Sequence, residues 1–201
     1  MNDETARRVA LLTARSKSRG FVLYGEIDQL VPEDYSGGPE VNEIFAELAR
    51  THLEIRDDPE PAAEVETVED FSDSEDAIYG QDPVKIYLRE VRKVPRLTHE
   101  REIALSRRIR ACGADAPAAK KELIEANLHL VISIARRCPE TGHHLLDVIQ
   151  AGNMGLMKAA DEFDPERGYP FSNNVTFWAR RAMREIPPGL GPSNYPHNQI
   201  Q

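Results

Sequence analysis

The 201-residue chain has few of the residues that covalently or metal-stabilised folds need. Its two cysteines, Cys112 and Cys138, form no C-x-x-C pair, so we expect reduced thiols and neither a disulfide framework nor a zinc ribbon. His143 and His144 lie near Cys138, but adjacent histidines project to different sides and a fourth ligand is missing, so we expect no metal.

Motifs for catalysis and membrane insertion are also missing. The sequence has no nucleophile with a matching base, no phosphate-binding loop and no glycine-rich dinucleotide turn, so we expect no enzyme, no cofactor and no small-molecule substrate. No apolar run approaches the roughly 20 residues of a membrane span. The N-terminus lacks the apolar region of a signal peptide. We therefore expect a cytoplasmic protein with no membrane partner.

Charge divides the chain into two unlike halves. Residues 1–81 hold 7 Lys and Arg against 20 Asp and Glu, whereas residues 82–201 hold 18 against 14. A mildly basic half can meet nucleic-acid phosphates, and a strongly acidic half can compete for the same cationic surfaces. We therefore predict that residues 1–76 inhibit DNA binding by the rest of the chain.

Periodicity predicts an all-α fold in four parts. Short helical patterns over 5–18, 25–30 and 41–48 indicate a small acidic three-helix domain over residues 1–56. Residues 57–81 are interpreted as a disordered acidic linker, because 57–76 carry ten acids and no base. Residues 82–186 are predicted to form a compact multi-helix domain. Residues 187–201, rich in proline and glycine, are predicted to be an irregular tail.

The helical domain has clear start signals and long apolar stripes. Pro83 suits a first helical turn, and Thr98 suits an N-cap. Apolar stripes predict a helix over 119–137 and another over 145–163. Segment 113–118 is expected to separate the first of these from the preceding helix.

An uncharged polar stripe marks the outer face of the predicted helix 145–163. Asp147, Gln150, Asn153 and Met157 follow i, i+3, i+6 and i+10, and amides with a methionine are typical of an interface. An ordinary solvated face with a gap-filling methionine explains the same pattern. Gly152 and Gly155 favour the interface, because each glycine costs roughly 1 kcal/mol in a helix and so indicates close approach of another helix or a partner.

Aromatic rings and arginines cluster after this helix. Rings and guanidinium groups can replace the stacking partners that a base loses when it leaves a duplex. The cluster comprises Arg167, Tyr169, Phe171, Phe177, Trp178, Arg180, Arg181 and Arg184. Its aromatic members could equally be core residues beneath a solvated arginine face.

These segments closely resemble the primary-type sigma factors of bacterial RNA polymerase. The resemblance is carried by residues 146–157 (LDVIQAGNMGLM), 162–172 (EFDPERGYPFS), 175–182 (VTFWARRA), 82–90 (DPVKIYLRE) and 125–137 (EANLHLVISIARR). It implies a sigma region 2-like domain that binds polymerase and melts promoters. Residues 17–33 (KSRGFVLYGEIDQLVPE) carry a weaker similarity to that family's acidic N-terminal domain.

The resemblance implies a function for individual positions. It implies a transcription initiation factor that binds core RNA polymerase through a coiled coil of the largest subunit, and that recognises and melts the promoter −10 element through the non-template single strand. The implied polymerase-binding residues are Leu128, Asp147, Gln150, Asn153 and Met157. The implied DNA-binding residues are Lys85, Tyr87, Arg89, Asn127, Arg167, Tyr169, Phe171, Asn174, Phe177, Trp178, Arg180, Arg181 and Arg184. Asn127, on an apolar stripe, is either a reader of an everted base or a satisfied buried amide.

Several positions depart from the family pattern. Asn174 stands where the family has a tyrosine, Phe177 where it has a tryptophan, Pro170 where it has a lysine and Arg181 where it has a glutamine. After residue 186 the sequence cannot continue a helix, so we expect a chain truncated before the family's C-terminal helix-turn-helix domains. The alternative to a bacterial, cytoplasmic, nucleoid-associated initiation factor is therefore a polymerase-binding decoy or regulator without productive promoter recognition.

Overall fold

The computed structural model describes residues 3–31, 38–51, 53–57, 83–138 and 143–186. The regular structure of the described residues is helical except for one pair of three-residue strands, which confirms the predicted all-α class. The elements in order are α1 (Asp3–Ser16), β1 (Phe21–Leu23), α2 (Tyr24–Asp28), α3 (Gly38–Arg50), β2 (Glu54–Arg56), α4 (Pro83–Arg92), α5 (His99–Arg110), α6 (Ala116–Arg136), α7 (Leu145–Glu162), a 3-10 turn (Pro165–Arg167) and α8 (Phe171–Arg184).

The N-terminal unit, residues 3–57, contains the three predicted helices and a strand pair that was not predicted. Gly20 has a positive φ of 81° and ends the turn after α1, so β1 can run back along the helix. β1 and β2 pair in parallel, with Val22 opposite Ile55. Both strands are too short for a period of two to be recognisable in sequence. The core of this unit comprises Val9, Leu12, Val22, Ile27, Val41, Ile44, Phe45 and Leu48.

The helical unit, residues 83–186, begins as the sequence predicts. The Thr98 hydroxyl caps α5 by accepting a hydrogen bond from the Arg101 amide at 3.3 Å. α6 begins at Ala116, three residues earlier than predicted, because Pro117 lies in the first turn, where a missing N–H costs nothing. The turn before it is tight, and Cys112 takes a φ of 50° there.

α7 packs against both α6 and α8, and these two helices also contact each other. A Cβ atom on Gly155 would lie 2.4 Å from the Trp178 carbonyl oxygen and 2.6 Å from the Ala179 Cα atom. A Cβ atom on Gly152 would meet the ends of the Met183 and Val131 side chains. Both glycines therefore serve close packing of helices within the chain.

The N-terminal unit packs on the end of α7 and on α8. The Asn42 amide donates to the Glu162 carbonyl oxygen at 2.6 Å. The Phe45 ring lies 5.3 Å from the Tyr169 ring and 6.0 Å from the Phe177 ring, measured between centroids. Asp57, predicted as the first linker residue, belongs to this packed unit. The rest of the predicted linker and the predicted tail lie outside the described residues.

Candidate polymerase and nucleic-acid interface

The outer face of α7 carries an exposed strip of amide and methionine side chains. Gln150 is exposed, and so is Met157, at 49%. Asp147 and Asn153 on the same helix, and Leu128 on α6, are half-buried. Met154, 71% exposed, was missed by the sequence analysis although it lies one residue from the predicted stripe. We call Gln150, Met154 and Met157 the α7 strip.

The two α7 glycines do not support the α7 strip as an interface. Gly152 and Gly155 are buried against α6 and α8, so internal packing accounts for both. The glycines therefore mark the close approach of another helix, as predicted, and give no information about a partner. Only the exposed side chains of α7 support an interface.

A hydrogen bond between α4 and α7 connects one predicted DNA-binding residue with one predicted polymerase-binding residue. The Asn153 amide of α7 donates to the Tyr87 hydroxyl oxygen at 3.3 Å. Lys85 and Tyr87 are half-buried and Arg89 is exposed. The contact fixes the side of α4 that faces α7.

The four predicted DNA-binding aromatic residues that follow α7 in the chain are all buried. Tyr169, Phe171, Phe177 and Trp178 are 3%, 1%, 2% and 0% exposed. Phe171 packs on Phe163, at 5.1 Å between ring centroids. Trp178 also lies within the helical unit, with the backbone of Gly155 against its own carbonyl. These two rings are core residues of the helical unit in this structure.

Tyr169 and Phe177 differ from Phe171 and Trp178 because the N-terminal unit contributes to their burial. Phe45 of α3 packs on both rings, and the Tyr169 hydroxyl donates a hydrogen bond to the Asn42 side-chain oxygen. Burial is the largest cause that raises the pKa of Tyr169 above its ordinary value. The pair therefore lies at the junction of the two units, and we call Tyr169 and Phe177 the junction rings.

The arginines of α8 are paired with carboxylates of the N-terminal unit. Arg184 lies 2.7 Å from Asp28, and Arg180 forms an ion pair with Asp57. The Arg181 side chain is 6% exposed, lies 3.8 Å from Asp28 and places its guanidinium 5.9 Å from the centre of the Trp178 ring. In this conformation the cationic face of α8 is occupied by acidic groups of the same chain.

Arg167 is placed differently from the α8 arginines. It is exposed on the loop before α8 and lies 3.2 Å from Asp164. Gly168 follows with a φ of 77°, which turns the chain toward Tyr169. The loop is tied to α5 by an ion pair of 2.7 Å between Arg107 and Glu166.

The two predicted DNA-binding asparagines are buried and hydrogen-bonded. The Asn127 amide donates to the Leu123 carbonyl oxygen at 2.9 Å, and the Asn174 amide donates to the Ala159 carbonyl oxygen at 3.0 Å. Burial raises the pKa of Glu102, whereas a hydrogen bond from Asn127 opposes that rise. Asn127 thus has the contacts of a satisfied buried amide, and base recognition by it stays a prediction.

Metal sites and membrane-spanning helices are absent from the part of the chain that the structure describes. Among the described residues, no group of three His, Cys, Asp or Glu side chains is arranged to hold a metal ion. None of the helices in the described ranges is long and apolar enough to cross a membrane.

Comparison with known proteins gives two family matches and several relatives. Residues 123–185 match Sigma-70 region 2, and residues 82–111 match Sigma-70 factor, region 1.2. The RNA polymerase sigma factor SigA of Listeria monocytogenes is 36% identical over 182 residues, which cover 86% of this chain and 48% of the relative. SigA of Clostridium acetobutylicum is 37% identical over 183 residues, covering 90% and 47%. The sigma factor RpoS of Coxiella burnetii is 43% identical over 104 residues, covering 52% and 29%.

The matched segments coincide with the helices that build the site. Region 1.2 covers α4 and α5, and region 2 covers most of α6 together with α7 and α8. The chain spans about half the length of the SigA relatives it matches. The chain belongs to the sigma-70 family and corresponds to the N-terminal part of a primary-type bacterial sigma factor.

Proposed function

We propose that the chain is a sigma-type initiation factor that binds core RNA polymerase and recognises and melts the promoter −10 element, acting beside polymerase in the bacterial cytoplasm. The observation that carries this proposal is the arrangement around α7 within the matched region 2. The outer face of α7 exposes the α7 strip, whereas its inner face packs on α8, which carries the junction ring Phe177 and the arginines.

The α7 strip is the proposed polymerase-binding surface. Amides offer both a donor and an acceptor, and methionine adapts its shape to a facing helix. A coiled coil of the largest polymerase subunit is the partner that such a helical face fits. Tyr87 and α4 flank the strip through the Asn153 contact, so both lie within reach of the same partner.

The proposed DNA-binding surface comprises the junction rings, Arg167 and the α8 arginines. The N-terminal unit occupies this surface, with Phe45 on the rings and two carboxylates on the arginines. We propose that the unit moves away when the non-template strand binds. Because ion pairs weaken as salt rises, the masking also weakens at higher salt.

Two measurements test the proposal. In the first, the chain competes with the cell's main sigma factor for core polymerase. In the second, fluorescence anisotropy at low salt measures the affinity for a TATAAT-type non-template strand. The affinity of the intact chain is compared with that of a chain lacking residues 1–76. We expect competition for polymerase and tighter strand binding after the deletion. Competition without any strand binding by either chain would instead support the decoy interpretation.

A further inference from the structure

The end of α6 carries an arginine that the sequence analysis did not assign to DNA. Arg137 follows the last residue of α6, and its Nε atom donates to the Ser133 carbonyl oxygen at 3.3 Å. Its Nη1 atom lies 3.0 Å from an Asp57 carboxylate oxygen. The contact with its own helix therefore orients the guanidinium before any ligand arrives.

A second guanidinium approaches the same carboxylate from α8. Arg180 binds the other Asp57 oxygen, so two arginines from different helices hold one acidic group between them. The Arg137 and Arg180 side chains are 38% and 28% exposed, whereas the Asp57 carboxylate is only 12% exposed. We call Arg137 and Arg180 the arginine clamp.

Among the described residues, Asp57 is the carboxylate that pairs with both arginines of the clamp. Burial raises the pKa of the neighbouring Cys138 thiol, and Asp57 raises it further, whereas Arg180, Arg137 and Arg184 lower it, so these charges lie close together. Two guanidinium groups close enough to share a carboxylate repel each other once that carboxylate leaves. Asp57 comes from the N-terminal unit, so it is removed when that unit moves away.

The position of the clamp indicates which anion replaces Asp57. Arg180 and Phe177 are three residues apart on α8, so they share a helix face, and both line one small cavity with Tyr24 and Arg184. The paired N–H donors of a guanidinium group can bind a phosphate as well as a carboxylate. A strand whose base stacks at a junction ring would therefore bring a neighbouring phosphodiester to the clamp.

We propose that Arg137 and Arg180 form a phosphodiester-binding site for nucleic acid, and that Asp57 is its internal stand-in. The inference rests on the proposed DNA-binding function of this face. It adds α6 to that face through Arg137. It also makes the release of Asp57 and the binding of phosphate competing events at one site.

The test uses the full chain with Asp57→Asn, which keeps the side-chain shape and removes its charge. Anisotropy with a labelled TATAAT-type single strand is measured over a salt series for Asp57→Asn alone and with Arg137→Gln added. Lys121→Gln, added to the same background, is the control, because Lys121 is exposed on the same helix about 24 Å from Arg137. Removal of one phosphate contact should lower affinity about three- to tenfold and reduce the single-strand salt slope by about 0.7. The control should do neither.

Three other results would overturn the inference, and each result has a different cause. If Asp57→Asn binds the strand and Arg137→Gln changes neither affinity nor slope, the clamp is only a contact between the two units, and the proposed function stands. If Arg137→Gln weakens competition for core polymerase while strand binding is unchanged, the clamp faces polymerase. If Asp57→Asn does not bind the strand even with core polymerase present, both this inference and the proposed DNA-binding function are wrong.

Discussion

The packing of α7 on α8 predicts unequal effects on stability for alanine at two neighbouring glycines. At Gly155 the new Cβ atom would lie 2.4 Å and 2.6 Å from backbone atoms of Trp178 and Ala179, so the helices must separate. At Gly152 it would lie 2.2 Å from the Met183 Cε atom and 2.6 Å from the Val131 Cγ1 atom. The methionine terminus can rotate away and the stiffer Val131 side chain must shift slightly, whereas helix backbone can give way only if the helices separate.

The expected magnitudes follow from two opposing terms. Alanine gains about 1 kcal/mol over glycine in a helix interior. Overpacking costs typically about 1 to 3 kcal/mol and more where the contact is backbone. We therefore expect Gly152→Ala to change the free energy of unfolding by less than about 1 kcal/mol, and Gly155→Ala to lower it by about 2 kcal/mol or more.

Urea denaturation of the full chain, followed by circular dichroism, measures both changes. A loss of about 2 kcal/mol would lower the melting temperature by roughly 8 to 16 °C if the helical unit unfolds as one cooperative domain. Equal effects at the two positions, or a stabilised Gly155→Ala, would refute the close contact of α7 with α8.

Three further predictions concern the interface and the buried groups. Gln150→Ala with Asn153→Ala should weaken competition for core polymerase by about 1 to 3 kcal/mol, and unchanged competition would exclude the outer face of α7. Tyr87→Phe, measured beside it, shows how much of the loss comes from the Asn153–Tyr87 hydrogen bond. Glu102→Gln should stabilise the fold at pH 7 and not below about pH 4. Burial raises the pKa of Glu102 in the folded state above 4.5, so the folded state holds more protons than the unfolded state as pH rises, and the charged carboxylate destabilises the fold at pH 7. An effect on the melting temperature that does not change with pH would contradict this. Asn174→Tyr should lower the melting temperature, because Asn174 is 0% exposed and a larger ring overpacks its site; an unchanged melting temperature with sharper strand selectivity would restore this position to the DNA face.

The sequence predicted most of the fold because helical periodicity is a local signal. The Thr98 cap and the α7 helix are set by residues within a few positions of one another, and the structure confirms both. The β1 and β2 pair could not be predicted, since two three-residue strands separated by two helices leave no local pattern. The register of such a pair is decided only by tertiary packing.

The sequence indicated candidate site residues but not their burial. The motifs indicated Tyr169 and Phe177, but their cover, Phe45, lies more than a hundred residues earlier in the chain. The charge split indicated masking, yet it could not identify Asp28 and Asp57 as the groups that pair with α8. Contacts between distant segments depend on the docking of two units, which no single-segment pattern encodes.

One binding measurement tests the central claim most directly. The complex of the chain with core RNA polymerase is titrated with a TATAAT-type non-template strand and with a scrambled strand, and the two affinities are compared. If the chain is a sigma-type initiation factor, the complex forms and binds the TATAAT-type strand more tightly than the scrambled one. Because Asn174 and Arg181 depart from the family pattern, we expect a smaller preference than the cell's main sigma factor shows. A complex that forms but binds both strands equally, or binds neither, would contradict promoter recognition by this chain.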